Sequence, residues 1–300
     1  MSATKLLHDW ALLSPAIIVA WSFLMIGLER AFPYDKGQKL FREGWFVDFF
    51  WYTLVQSYVL GLAIDGIIRL LDRASGLSRL HLVSSWPTIA QLGFFFVTHD
   101  LYIYWFHRLQ HRSRFFWRTH EAHHSVRDVD WLAGSRSHAL EILINQTIEY
   151  APIVLLGARP EVALMKATLD ACWGMYIHSN IDVKSGALQY LVNGPEMHRW
   201  HHSSWWKGYG FNYGTKLAIW DHIFGTAYMP AWKPPGYGLS PKSQAKFPPG
   251  FFAQQLYAFR RFEEEALAPN TEPDPRGVTL TPAPLLERSL DAQLEARSTE

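Results

Sequence analysis

Three short histidine motifs hold most of the chemistry this chain could perform. They are His107-Arg108-Leu109-Gln110-His111, His120-Glu121-Ala122-His123-His124 and His198-Arg199-Trp200-His201-His202. Residues three and four apart share one side of a helix, so in each HxxHH group the first imidazole can converge with the fourth and the fifth. Neutral imidazole is a ligand for iron, zinc, copper or nickel, and eight such rings exceed the needs of one four-coordinate structural zinc. The pattern predicts two metal ions. Twelve of the 14 histidines lie between His99 and His222, and His138 and His178 stand where a later hairpin meets the same region, which makes both candidate ligands. His99 and His222 are weaker candidates, and His8 and His81 fall far from the motifs.

The elements that must position these rings are long and apolar. Trp10 to Leu28 is 19 residues without a charge, nearly enough to cross a hydrocarbon core of roughly 30 Å. The Met-Ser-Ala-Thr-Lys start lacks a strong basic region and no small-residue cleavage pattern follows, so the run reads as a retained anchor. A second run covers Phe49 to Ile64 and continues past Asp65 towards Leu71, and a third goes from Leu82 through Thr98 to Trp105. Leu140 to Leu156 and Val162 to Ile177 are also apolar but contain Asn145, Gln146, Glu149, Lys166 and Asp170, as bundle-facing helices or a buried hairpin would. Gly157-Ala158-Arg159-Pro160 is the turn between them. If the first three runs span, segments 30–46 and 107–138 share one side, and the hairpin returns the chain to it at His178. Arg30, Lys36, Lys39 and Arg42, with Arg108, Arg112, Arg114, Arg118, Arg127 and Arg136, put that side in the cytoplasm by the positive-inside rule. The predicted fold is an all-α integral membrane protein, a bundle of about four to five apolar helices with a cytoplasmic histidine-rich helical cap.

Composition excludes several other classes. A net charge of +1 leaves no basic footprint for nucleic acid, and 49% hydrophobic residues exclude a disordered chain. The single Cys172 can form neither an intrachain disulfide nor a Cys-rich zinc or iron–sulfur site. The sequence shows no glycine-rich dinucleotide fingerprint and no fused heme-binding segment, so electrons for any redox chemistry at such metals are expected from a separate electron-transfer protein or reductant. From Tyr228 prolines accumulate, which divides the chain into residues 1–230 (membrane and catalytic unit), 231–267 (polar connection and amphipathic helix) and 268–300 (flexible tail). The helix is expected from Phe251 to about Leu267, with Phe252, Leu256, Phe259 and Phe262 against the membrane surface or the main body.

Taken with Asn212-Tyr213-Gly214 and Trp220-Asp221-His222-Ile223-Phe224-Gly225-Thr226, the three motifs resemble the fatty acid hydroxylase and sterol desaturase superfamily, over about residues 85–230. The resemblance implies a membrane oxygenase with two iron ions, dioxygen as co-substrate, an external electron donor and a hydrophobic lipid substrate. Carried over residue by residue, it nominates His107, His111, His120, His123, His124, His198, His201 and His202 as primary ligands and catalytic set. It adds His138 in Arg-Ser-His-Ala-Leu-Glu and His178 in His-Ser-Asn as two further metal ligands. The chain departs from many relatives at Asn193–Met197, where they have Thr-Pro, and at His222, where they have Arg; both departures bear on substrate subclass. The implied activity is hydroxylation of a lipid C–H bond. The alternatives are a lipid or sterol desaturase on the same type of site, or a non-catalytic metal-binding membrane protein such as a transporter or scaffold. Glu196, Asn180 and Asp221 are candidates for orienting the imidazoles. Phe94-Phe95-Phe96 and Tyr102 to Trp105 either line a substrate passage or pack helices against each other and the membrane.

Overall fold

The computed structural model describes residues 9–204 and 210–261. The expected tail, 268–300, lies outside them, as do Phe262 and residues 263–267 of the expected amphipathic helix; its described part is helical only to Tyr257 and ends there instead of continuing through 258–261. The described fold is all-α, and its only β pairings are isolated bridges such as Pro33 with Ile181.

Helix α1 (Trp10–Ala31) starts where the Asp9 carboxylate accepts the Ala11 N–H at 3.1 Å, and it stops just before Pro33. Helix α2 (Val47–Ser75) is π-wound over Val47–Gln56 and closes on Gly76 at φ +67°. The wide winding puts Asp48, Tyr52 and Gln56 on one buried side, where Tyr52 donates to the Gln254 side chain at 2.7 Å and Gln56 to the Ser137 carbonyl at 2.9 Å. Helix α3 (Thr88–Arg112) begins after Pro87, and the extended Ser113 separates it from α4 (Arg114–His124). Helices α5 (Ala139–Leu155) and α6 (Pro160–His178) form the expected hairpin. Its turn needs Gly157: φ is +71°, and a Cβ there would lie 2.8 Å from the Ser78 carbonyl oxygen. Four short helices follow: α7 (Pro195–His201), α8 (Ile219–Ile223), α9 (Pro241–Lys246) and α10 (Phe251–Tyr257).

Among the described residues, α1 and α2 are long and apolar enough to cross a membrane. Their outer faces expose Val19, Phe23, Tyr58, Leu62 and Leu70. The third run forms α3 as an unbroken helix, but it buries His99, Asp100 and His107. α1 packs along α6, and α2 along α5 through Ile64, Ile68 and Ala151. Where α1 ends, Met25 meets Trp131, Leu132 and Ile181; each such side chain stabilises the fold by about 1.5–3 kcal/mol when fully buried. Glu29 in the last turn of α1 is buried and accepts the backbone N–H groups of Trp131 at 2.7 Å and Asn180 at 2.8 Å. Helix α1 is thereby tied to the loops that precede and follow the α5–α6 hairpin.

Between α3, α5 and α6 the polar residues of the hairpin find one another. The Lys166 ammonium, fully buried, donates to His99 Nδ1 at 3.1 Å, to Asp170 Oδ2 at 2.8 Å and to Glu149. Lys216 pairs with the other Asp170 oxygen at 3.0 Å, and the Tyr150 hydroxyl donates to Asp170 at 3.1 Å. Buried charge at helix–helix contacts survives only when paired in this way.

Candidate metal centre

The motifs sit at the ends of helices that meet. α3 delivers His107 and His111 in its last turns, α4 delivers His120, His123 and His124, α6 ends on His178, and α7 with the residue after it delivers His198, His201 and His202. α7 is short; Pro195 fits its first turn, and the Arg199 guanidinium holds it by donating to the Ser179 and Ile181 carbonyls at 3.0 Å each.

Nine of these rings converge as two adjacent groups. One holds His107, His111, His120, His124 and His201, the other His123, His178, His198 and His202; within each group the nearest ring nitrogens lie within 4.8 Å of one another. Each HxxHH motif is divided between the groups. His120 and His124, one turn apart, face the first group while His123 faces the second; His198 and His202 face the second while His201 faces the first. The expected convergence of first with fifth residues therefore appears, whereas the fourth residue of each motif turns to the neighbouring group. His124 and His202 touch across the boundary, with ring centroids 4.7 Å apart.

The outward nitrogen of five rings is committed. His107 Nδ1 donates to the Tyr213 carbonyl at 2.8 Å, His123 to Arg136 at 3.1 Å, His178 to Gly174 at 2.7 Å and His201 to Phe211 at 2.9 Å. His120 Nδ1 donates to the Glu141 carboxylate at 3.0 Å. These bonds fix the tautomer and leave Nε2 as a lone pair turned inward. Inward nitrogens then face each other at short range: His107 to His120 at 3.0 Å, His178 to His198 at 2.9 Å, His178 to His123 at 3.3 Å and His198 to His202 at 3.1 Å. Burial, reinforced by the neighbouring rings, pushes the pKa of His123, His124, His198 and His202 well below the ordinary imidazole value, and burial pushes His201 down to about 3. Rings held this low are neutral at pH 7 and can offer a nitrogen lone pair.

In the His107–His120 and His178–His123 pairs both rings have Nδ1–H committed elsewhere, so two lone pairs face and repel, and a cation shared between them turns the repulsion into coordination. His201 Nε2 is buried and has no hydrogen-bond partner among the described residues, which is the state of a nitrogen aimed at a metal. Nitrogen donors of this kind suit iron among other transition metals, and the division into five and four ligands suits two ions. The residues fit a dinuclear centre.

The other candidates lie elsewhere. His138 caps α5, its Nδ1 accepting the Leu140 N–H at 3.1 Å, while its Nε2 donates to the Gln255 carbonyl at 2.8 Å; neither nitrogen faces the two groups. His99 belongs to the Lys166 cluster, and His222 lies against the Tyr190 ring. Glu196 and Asn180 bond to backbone, at Ser185 and at Asp35, instead of to imidazoles. Asp221 acts at one remove: it accepts the N–H groups of Tyr213 and Gly214, both at 2.8 Å, and so braces the segment whose carbonyl orients His107. Sequence reasoning missed Glu141 as a partner of His120. Its signal was available, since Glu141 lies in the first turn of the helix that follows the motif, but the pairing spans 21 residues.

Comparison with known proteins points the same way. The family described as fatty acid hydroxylase matches residues 92–226, a span that contains all nine converging histidines. The ornithine lipid hydroxylase OlsE of Rhizobium tropici is 33% identical over 176 residues, 59% of this chain and 52% of that protein. Human alkylglycerol monooxygenase is 33% identical over 127 residues (42% of this chain, 28% of that protein), and methylsterol monooxygenase 1 of Rattus norvegicus is 30% identical over 132 residues (43% and 44%). The chain thus spans about half the length of the first of these relatives and less of the others. No solved structure matches it. Residues 92–226, which carry the histidine motifs and make up a little under half of the chain, are therefore similar in sequence to the fatty acid hydroxylase family.

Proposed function

We propose that this protein is a membrane-bound di-iron oxygenase that hydroxylates a C–H bond of a lipid. The observation that carries the reading is the pair of adjacent groups, five and four imidazoles, in which five rings commit Nδ1–H outward and turn a bare Nε2 inward. His107, His111, His120, His124 and His201 would hold one iron, and His123, His178, His198 and His202 the other. Bound there, the irons would supply the dioxygen-activating redox chemistry that side chains lack.

The protein's own part is positioning and exclusion of water. Carbonyl groups and Glu141 hold five of the nine rings in one tautomer, so these donors need little rearrangement on metal binding. The buried rings keep bulk water from the reacting carbon. One oxygen atom enters the substrate and the other leaves as water, with electrons from a separate donor protein or reductant. The relatives' names pair the shared segment with hydroxylation or monooxygenation of an ornithine lipid, an alkylglycerol and a methylsterol; this favours oxygen insertion over desaturation and a lipid over a soluble substrate. In this reading α3 and the α5–α6 hairpin join α1 and α2 in the bilayer, the metal centre faces the cytoplasm, and residues 1–230 form the catalytic unit, with α10 lying on the membrane surface.

The test is purified protein in lipid, supplied with iron and a reductant, followed by lipid mass analysis under labelled and unlabelled dioxygen. One labelled oxygen atom in a lipid is the expected result. A new double bond without added oxygen would make the chain a desaturase, and a metal-replete, reduced protein that changes no member of a broad lipid panel would leave only metal binding.

A further inference from the structure

At the foot of α2, loop 41–47, the turn 125–128 and segment 244–249 enclose a cavity of 560 Å³. Its inner wall begins at Ser125, the residue after His124, and includes Arg136. Arg136 connects the cavity to the metal centre: its carbonyl accepts from His123, while its guanidinium donates to Ser125 Oγ at 3.0 Å and grips both Asp48 oxygens. The lip is apolar. Phe41 and Phe46 are 68% and 62% exposed, and the exposed Phe252 of α10 lies nearby against Trp51, with ring centroids 4.9 Å apart. Exposed aromatics where an apolar helix begins belong at a lipid–water boundary.

Besides Asp128, an exposed carboxylate of the turn 125–128, the charges of the wall fall into two sets. On the floor, Arg42 bonds Asp48 and Asp130 at 2.8 Å each and Arg136 bonds Asp48 at 2.6 Å, a buried and internally neutral quartet. Of the quartet's side-chain nitrogens and oxygens, Arg42 Nε is the one left buried without a hydrogen-bond partner among the described residues. At the mouth, Arg127 and Glu43 stand 4.0 Å apart with both side chains mostly exposed. A pair this loose offers a guanidinium and a carboxylate to a third party at little cost. Glu43 would repel a purely anionic head, and the guanidinium groups a purely cationic one.

We propose that this cavity holds the head group of an amphiphile carrying both an ammonium and an anion, with Glu43 and Asp128 facing the ammonium, Arg127 and the unpaired Nε of Arg42 facing the anion, and the acyl chain leaving over Phe41 and Phe46. The assignment of this amphiphile as the substrate rests on the lipid oxygenase reading; the binding itself does not. The shared chemistry has two sources, an amino-acid head with ammonium and carboxylate or a phosphoethanolamine head with ammonium and phosphate.

The test uses the full-length, iron-loaded protein in detergent and measures binding of short-chain probes: an acylated ornithine with a free amine and carboxylate, a phosphatidylethanolamine, a fatty carboxylate and a fatty amine. Glu43→Gln and Arg127→Gln are each expected to weaken the better zwitterion about fivefold, while Glu43→Gln leaves the fatty carboxylate unchanged or tighter and metal content stays constant. The tighter of the two zwitterionic probes identifies the head class. Unchanged zwitterion binding in both variants, or a fatty carboxylate binding as tightly as either zwitterion, overturns the proposal. Both rim residues are exposed, so folding is not at stake. If the variants lose binding but no lipid is ever oxidised, the oxygenase reading fails and the cavity assignment stands; if oxidation proceeds with unchanged KM in Glu43→Gln, the reverse holds.

Discussion

Glu141 Oε1 accepts the Nδ1–H of His120 at 3.0 Å, and the same imidazole turns its Nε2 to within 3.0 Å of His107 Nε2. One carboxylate on α5 thus sets the direction in which a ring on α4 meets a ring on α3. Replacing Glu141 by Ala removes that constraint and should weaken metal binding about 10- to 100-fold. Glu141→Gln keeps an acceptor oxygen and should lose less. Metal titration of stripped protein orders the three; equal affinities would show that His120 needs no partner.

His123 and His138 separate a ligand from a structural ring. His123→Ala should cost the protein about one metal per chain, since it opens the four-imidazole group. His138→Ala should leave metal content intact and lower stability by about 1 kcal/mol, the usual worth of a helix cap. Elemental analysis beside thermal melts reads both. Loss of metal in His138→Ala at normal stability would return that ring to the ligand set.

Acid should act on the metal-stripped protein through the buried rings. His201 titrates at about 3 in the folded chain against an ordinary imidazole value of 6.5, so between these values the unfolded chain binds the proton and the folded one does not. Stability from this group is complete above pH 6.5 and declines as pH falls towards 3. The neighbours held well below the ordinary value act in the same direction. Thermal melts of stripped protein from pH 8 downward should show little imidazole contribution until about pH 6.5 and then a steady fall; a midpoint that rises in that range would contradict it.

Lys166→Met should destabilise the protein by about 3–5 kcal/mol, because Glu149 and Asp170 would remain buried without their shared ammonium. Adding Glu149→Gln to it should recover part of the loss. A chemical unfolding series in detergent compares them, and a near-neutral single variant would mean that Lys216 alone suffices for both acids.

Much of this was legible because it is local. Uninterrupted apolar runs became α1, α2 and the long α3, and Gly157 with Pro160 marked the hairpin turn, since each signal acts within a few residues of itself. The histidine motifs announced a metal centre for the same reason. What spacing could not supply was direction: His123 and His124 are adjacent, yet they serve different groups, because helix geometry turns successive side chains by about 100°. Long-range partners were likewise hidden. The Arg136 carbonyl behind His123, the Glu141 behind His120 and the ammonium among His99, Glu149 and Asp170 are joined by packing of separate helices and loops. His138 looked like a ligand because its neighbours match a family pattern; its place at the start of α5 gives both ring nitrogens to the backbone.

The buried Glu29 at the end of α1 holds the amides of Trp131 and Asn180, the latter only two residues beyond His178. The first helix, long and apolar enough to cross a membrane, is therefore also a clasp. Trimming it away to obtain a water-soluble catalytic fragment would leave those two amides without their acceptor and Leu132 and Ile181 without Met25. Such a fragment should lose grip on the end of α6 first, and with it the metal held by the His178 group, before the opposite group lets go.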